Sequence, residues 1–332
     1  MKDKTYIDGF LVDWGEVLFA QGLSPKVKRQ PRTILGGIGS GRMRPISPKG
    51  VLSVANKASV IRQKLKGIVN RSTEVMVKIT GGGKGMVQIK NHFDYISRNG
   101  QLPLETHLGE YVEGRDELSF LRDAWQYGDM SLIPEVSSKR EAFNIVFSMP
   151  EGTDPAGVTK AVRDFATREF DGHQYAMAVH SFETDPDPNP SHHPHVHLVV
   201  KAEGRDGRRL NPRKADLQRW REGFALALGE NGIEANATPK KARLRHDYTQ
   251  KKVIREMKMR GESPDRAGVS PAGPERIEKA RLTETRVKAS YDKITTLLAQ
   301  SDDREDQLLA ASLKGWIKEQ VRDEPRDLGP SR

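Results

Sequence analysis

Five of the nine histidines in this 332-residue chain fall between His180 and His197, and the last two form the step His195-Val196-His197. Alternate side chains of a β-strand share a face, so His195 and His197 point one way and Val196 the other. Val196, Leu198 and Val200 supply the strand's apolar face. Residues Gln174 to Phe182 alternate as well, with Tyr175, Met177 and Val179 on one side and Ala176, Ala178 and His180 on the other. Antiparallel pairing of these strands through the Asp- and Pro-rich loop Glu183 to Ser191 carries His180 back beside His195 and His197. Three imidazoles then converge above a floor that Ala176 and Ala178 keep low. Three protein ligands with open positions describe a catalytic ion rather than a structural one. His192 and His193 read as members of a solvated turn. Imidazole donors suit manganese, zinc, nickel or copper better than magnesium.

A second candidate lies upstream. Met86, Ile89, Phe93 and Ile96 recur at helical spacing and define one buried stripe. Tyr95 sits about 140° from the middle of that stripe at roughly 100° per residue, so core packing does not account for it. Arg98-Asn99-Gly100 follows, and its Asn-Gly pair is a helix stop. A tyrosine at a helix end beside basic groups is free to meet a phosphate. A phenol, with an ordinary pKa of about 10, needs a neighbouring cation or a proton acceptor for such work at neutral pH. Its attack would conserve the energy of a phosphodiester as a phosphotyrosine that can later be resealed.

In combination these motifs are specific. The stretch Ile89-Lys-Asn-His-Phe-Asp-Tyr95-Ile-Ser-Arg98-Asn-Gly100, the strand Phe143 to Pro150 running into Glu151-Gly-Thr-Asp154, His180, and His193-Pro-His195-Val-His197-Leu-Val-Val200 resemble the relaxases that start conjugative DNA transfer. Within the His-hydrophobic-His endonuclease superfamily, the likeness is strongest to the mobilisation-nuclease branch that includes the T-DNA border endonucleases. It covers Glu74 to Pro239. Motif order agrees, because the tyrosine precedes the histidine strand here, whereas it follows that strand in rolling-circle replication initiators and single-strand transposases.

The resemblance implies that Tyr95 is the nucleophile and that His180, His195 and His197 hold one divalent ion, magnesium or manganese, with zinc and nickel also compatible. The ion would act as a Lewis acid on the scissile phosphate and fix in-line geometry. It also implies nicking of single-stranded DNA at a transfer origin, leaving a 5′-phosphotyrosyl adduct and a free 3′ hydroxyl. Accessory DNA-binding proteins and a type IV coupling protein are the implied partners. The implied location is the bacterial cytoplasm, with translocation alongside the DNA. One departure is plain: relatives carry an acid two residues after the first histidine, where this chain has Phe182. Loop acids Glu183, Asp185 and Asp187 are candidates to replace it, with Glu183 and Asp185 as acid or base. A replication initiator or transposase of the same superfamily, and a metal-stabilised DNA-binding protein without catalysis, are the competing readings.

Composition frames these motifs. Net charge is +10, with 14 Lys and Arg against 4 Asp and Glu in residues 1–73 and 41 against 41 in the rest. With its Gly- and Pro-bearing runs 31–41 and 45–50, the first segment reads as a poorly packed basic extension that tracks phosphate backbone, although residues 51–69 have the pattern of an amphipathic helix. The absence of cysteine excludes disulfides, thiol catalysis and thiolate ligation. No apolar run is long enough to span a membrane, and the N-terminus, with Asp3, Asp8 and Asp13, lacks the apolar core of a secretory signal, so no membrane insertion is expected. Neither Gly37 to Gly41 nor Gly81 to Gly85 has the spacing of a nucleotide-binding loop. The second cluster instead turns a strand into the helix of Tyr95, and its amides with Lys84 suit a DNA phosphate.

The elements that must position these groups read as strand 75–80, helices 86–97 and 115–127, strand 142–149, helix 155–169, strands 174–182 and 195–202, and helix 213–230. This order predicts an α+β fold with a largely antiparallel central sheet flanked by helices, and the resemblance implies the same palm-like sheet. Helix 213–230 is expected to start with Asn211 as cap and Pro212 in its first turn. DNA contacts are expected from Lys84, Lys90, Arg98, Arg205, Arg208 and Arg209. Further on, residues 240–260 read as a basic helix and 261–274 as a linker. Helices near 275–300 and 307–321 follow, then a disordered tail from Glu324. The predicted organisation is a basic extension (1–73), a nuclease domain (74–240), a basic segment and linker (241–274), and a helical C-terminal module (275–332) that docks, dimerises or is read by secretion machinery.

Overall fold

The computed structural model describes residues 3–19, 54–128, 132–244, 259–261 and 274–322. The Gly- and Pro-bearing runs 31–41 and 45–50, most of 241–274 and the tail from Glu324 lie outside them. The chain divides into two compact units, one formed by 71–237 and the other by 1–70 with 238–332.

In the first unit, strands β1 (Met76–Gly81), β2 (Leu104–Thr106), β3 (Tyr111–Val112), β4 (Ala142–Ser148), β5 (Tyr175–His180) and β6 (His195–Lys201) form one sheet. Their order is β1-β4-β6-β5-β2-β3, and every neighbouring pair is antiparallel. Alternation sends Phe143, Ile145 and Phe147 of β4, Tyr175 and Met177 of β5, and Val196, Leu198 and Val200 of β6 into one core. That core is completed by Val158, Val162 and Phe165 of α5 (Pro155–Glu169) and by Trp220, Phe224 and Leu228 of α6 (Lys214–Glu230). The opposite face carries Ala142, Ala176, Ala178 and Val199. It is covered by Met86, Ile89, Phe93 and Ile96 of α3 (Met86–Ile96) and by Leu118 and Trp125 of α4 (Gly114–Tyr127). Small residues on this face let α3 lie close to the sheet. The architecture is the α+β sandwich with an antiparallel sheet that the pattern predicts.

Two details differ from the sequence reading. Strands β2 and β3, three and two residues long, are too short to show a two-residue period. Helix α6 is capped by Arg213 rather than Asn211, because Asp216, three residues on, accepts the Arg213 amide at 2.7 Å; Pro212 therefore lies before the helix.

The second unit is helical. α1 (Lys4–Phe19), α2 (Val54–Val69), α7 (Pro274–Ala299) and α8 (Arg304–Arg322) bury Ile7, Leu11, Leu18, Ile61, Leu65, Tyr291, Ile294, Leu298 and Leu313 in a common core. Residues near the two ends of the chain, read separately from sequence as an extension and a module, share this core. The reason is the apolar stripe of α1, which recurs at helical spacing and needs several partners to leave water. The Arg62 guanidinium of α2 joins Asp306 of α8 and Asp8 of α1, each at 2.6 Å. No helix among the described residues is long and apolar enough to cross a membrane.

Candidate active site and metal centre

The β5–β6 register sets His180 opposite His195 and Ala178 opposite His197, so all three imidazoles rise from the α3 side of the sheet. Ring centroids are 5.1 Å apart for His180 and His195, 4.7 Å for His180 and His197, and 5.1 Å for His195 and His197. One nitrogen from each ring can be chosen so that all three lie within 4.8 Å of one another.

Helix α3 brings the tyrosine. Glycine is required at its N-cap, where Gly85 has φ 108° and a Cβ would meet the Glu135 carbonyl oxygen at 2.4 Å. Because Met86, Ile89, Phe93 and Ile96 face the sheet, Tyr95 is left 55% exposed at the helix end. Its ring stands edge-on to His197 at 5.7 Å between centroids and stacks on His92 at 5.9 Å. The Arg98 guanidinium lies 5.3 Å from its centre. After the helix, Arg98, Asn99 and Gly100 all adopt positive φ, 52°, 59° and 85°. Left-handed backbone costs a non-glycine residue about 1 kcal/mol. The turn is held by the Asn99 amide donating to the Asp94 carbonyl at 2.8 Å and the Leu102 amide to the Ser97 carbonyl at 2.8 Å. Strain at this place directs Arg98 inward, where it grips Asp185 with two bonds of 2.8 Å and reaches Asp187 at 3.3 Å.

Electrostatics keep the cluster ready for a cation. Burial pushes His92 down to about 4 and His197 down to about 3, the latter helped by the neighbouring His180 and His195. Burial also lowers His180 and His195. All four are neutral at physiological pH, as metal ligation requires. The Arg98 hydrogen bonds hold Asp185 down to about 2.

The donor set fits a divalent ion. A ligating histidine commonly donates its other ring N–H to a carbonyl or carboxylate. His180 Nε2 donates to the Ile96 carbonyl at 2.8 Å, and His195 Nδ1 donates to the His193 carbonyl at 2.8 Å, so the other nitrogen of each ring is an acceptor; Arg98 reaches His180 Nδ1 at 3.3 Å, where a bound ion would take its place. His197 Nδ1 is sealed from solvent with no hydrogen-bond partner.

Of the residues singled out from sequence, Tyr95, His180, His195, His197 and Arg98 come together. Two of the loop acids meet them: Asp185, with Oδ2 3.0 Å from His180 Nδ1, and Asp187 through Arg98, whereas Glu183 is exposed. Committed to Arg98, Asp185 is a poor proton acceptor and serves as an anchor. The other basic candidates are not gathered here. Lys84 precedes α3, about 16 Å along the helix from Tyr95. Lys90 donates to Gln126 at 2.9 Å and Glu135 at 3.3 Å. Arg205, Arg208 and Arg209 follow the end of β6 remote from His195, about 20 Å away along the strand. Arg209 pairs with Glu141 at 2.6 Å and Glu203 at 2.5 Å, Arg208 with Asp206 at 3.3 Å, and Arg205 contacts His107 at 3.3 Å. The cause is the strand's own length, which separates its histidine end from the basic turn beyond it.

Sequence reasoning passed over His92. It stands three residues before Tyr95, on the same helical face, and that spacing was the available signal.

No curated protein matches the chain. A structure solved for work on the molecular basis of vancomycin resistance transfer in Staphylococcus aureus is 13% identical, and the match covers 51% of this chain and 99% of that one with a TM-score of 0.31. Residues 119–232, which span β4, α5, β5, β6 and α6 and hold all three histidines, match the family described as relaxase, MobA/VirD2-like, nuclease domain.

Proposed function

We propose that this chain is a mobilisation relaxase that nicks one DNA strand at a transfer origin and keeps the 5′ end on Tyr95. The observation that carries the reading is the exposed Tyr95 ring 5.7 Å from His197, within a cluster of three neutral histidines. The Tyr95 oxygen forms a bond to phosphorus, the bond from phosphorus to the 3′ oxygen breaks, and the phenolic proton ends, net, on the released 3′ hydroxyl. The reverse reaction reseals the strand. The Arg98 cation beside the phenol orients the ring, and Asp185 fixes Arg98, whose guanidinium in turn reaches the edge of His180. His180, His195 and His197 would hold the divalent ion, manganese or magnesium, whose contribution is charge stabilisation on the non-bridging phosphate oxygens.

The nuclease is assigned to residues 74–240, with the basic residues of 1–73 tracking the DNA backbone and the helical segment 275–332 serving interactions. The substrate is single-stranded DNA at the origin. Accessory DNA-binding proteins and a type IV coupling protein are the proposed partners, with action in the bacterial cytoplasm and translocation with the DNA.

Incubating the full chain and manganese with single-stranded oligonucleotides tiled across a candidate origin tests this. A covalent adduct whose phosphopeptide contains Tyr95 is the expected product. An adduct on another tyrosine, or cleavage leaving no adduct, overturns the proposal.

A further inference from the structure

Two of the three ion-facing histidines have a carbonyl acceptor for the ring nitrogen turned away from the cluster, Ile96 for His180 and His193 for His195. The third, His197, has none: its Nδ1 is buried and unpartnered. One turn before Tyr95, His92 has the complementary defect, a buried Nε2 without a partner. The two rings meet edge to face, 6.3 Å between centroids and 71° between planes. Orphaned buried nitrogens are rare enough in folded proteins that two of them on neighbouring rings call for a shared explanation.

We infer that His92 is the positioning residue of His197: its Nε2 receives the His197 Nδ1–H, directly or across one water, and thereby fixes the tautomer that turns His197 Nε2 to the ion. The inference rests on the metal-site reading above and assigns that site a partner. Acceptors of this kind raise ligand basicity and lock ring orientation, and losing one costs about 10–100-fold in metal affinity. The same imidazole stacks on Tyr95 at 5.9 Å, so one ring braces the nucleophile and a ligand together. Helix α3 therefore supplies the tyrosine, the Ile96 carbonyl and the His197 acceptor within five residues, and the centre is assembled between the sheet and one helix end.

Two substitutions separate the hydrogen bond from the packing. His92→Phe keeps a ring against Tyr95 and removes the acceptor; His92→Gln keeps an acceptor oxygen at similar reach. Calorimetric titration of the full chain with manganese is expected to show affinity reduced about 10–100-fold for H92F and within about threefold of wild type for H92Q. Affinity unchanged in H92F overturns the inference. In the unsubstituted protein loaded with zinc, nitrogen NMR of labelled histidine is expected to find His197 with a slowly exchanging proton on Nδ1 and metal on Nε2. Metal on Nδ1 overturns the inference even if H92F does not fold. His197→Ala serves as the control: wild-type affinity in that variant means that the metal reading itself has failed, whereas loss there with no effect in H92F means that only the role of His92 has.

Discussion

In the helical unit the Arg62 guanidinium is shared between Asp306 and Asp8, and Asp306 also accepts the Ser301 hydroxyl at 2.9 Å. In the sheet unit an imidazole cluster of similar depth keeps two nitrogens without partners. Both clusters carry the desolvation penalty of buried polar groups. The first offsets it within the fold, by pairing a cation with two carboxylates across three helices. The second holds its charge-free rings with fewer bonds than they can make, and turns the remaining ring nitrogens of His180, His195 and His197 toward one another. A buried polar set that is closed upon itself is a structural device, while one left open marks a place where a ligand belongs.

The contrast can be broken experimentally, and the largest expected effect is at Tyr95. Tyr95→Phe should remove the covalent adduct on denaturing gels and reduce nicking on the order of a thousandfold or more, with the melting temperature unchanged. His195→Ala should next abolish calorimetric manganese binding while circular dichroism stays native, since an open cluster contributes to function rather than to the fold. The helical unit should behave in the reverse manner. Arg62→Ala leaves two carboxylates with no guanidinium, and should lower unfolding free energy by about 3–5 kcal/mol, measured by urea titration, with nicking per folded molecule unaltered.

Acid sharpens the same comparison. The folded-state values of about 4 for His92 and about 3 for His197 lie below the ordinary 6.5, so the unfolded chain binds more protons once pH drops below that value. Their contribution to stability is complete above pH 6.5 and is lost as pH falls toward 4 and 3. Metal-free protein should melt at progressively lower temperature between about pH 7 and pH 5, and a pH-independent midpoint would count against neutral buried imidazoles. The smallest effect is expected at Lys84, remote from Tyr95. Lys84→Ala should reduce the salt slope of oligonucleotide binding by about one without changing the nicking rate on bound DNA.

Much of the site was legible because two periodicities write it directly. The two-residue alternation through Ala176, Ala178 and His180 and through His195 and His197 places three rings on one face. The helical stripe from Met86 to Ile96 isolated Tyr95 by what it left out. His92 was harder to see, since a single histidine on a helix announces nothing until the helix is laid over a particular strand. The pairing of the basic residues was hidden for a related reason. Arg209 and Lys90 read as free cations in a sequence, and only the long-range placement of Glu141 and Glu135, with the turn that brings Glu203 back to Arg209, reveals them as paired. In the N-terminal segment the charge surplus masks the apolar stripe of Ile7, Leu11 and Leu18.

The arrangement of the helical unit also bears on how the molecule is made. Arg62 and Asp306 are separated by 244 positions, with the entire sheet unit encoded between them. During synthesis, α1 and α2 emerge first but wait for α7 and α8, while the sheet unit, continuous in sequence, can complete itself in the interval. The nascent chain thus carries an uncovered greasy hairpin for most of its time on the ribosome. A product cut short by a premature stop near residue 240 would keep every proposed catalytic group yet display Ile7, Leu11 and Leu18 to water, and insolubility rather than inactivity would be its failing.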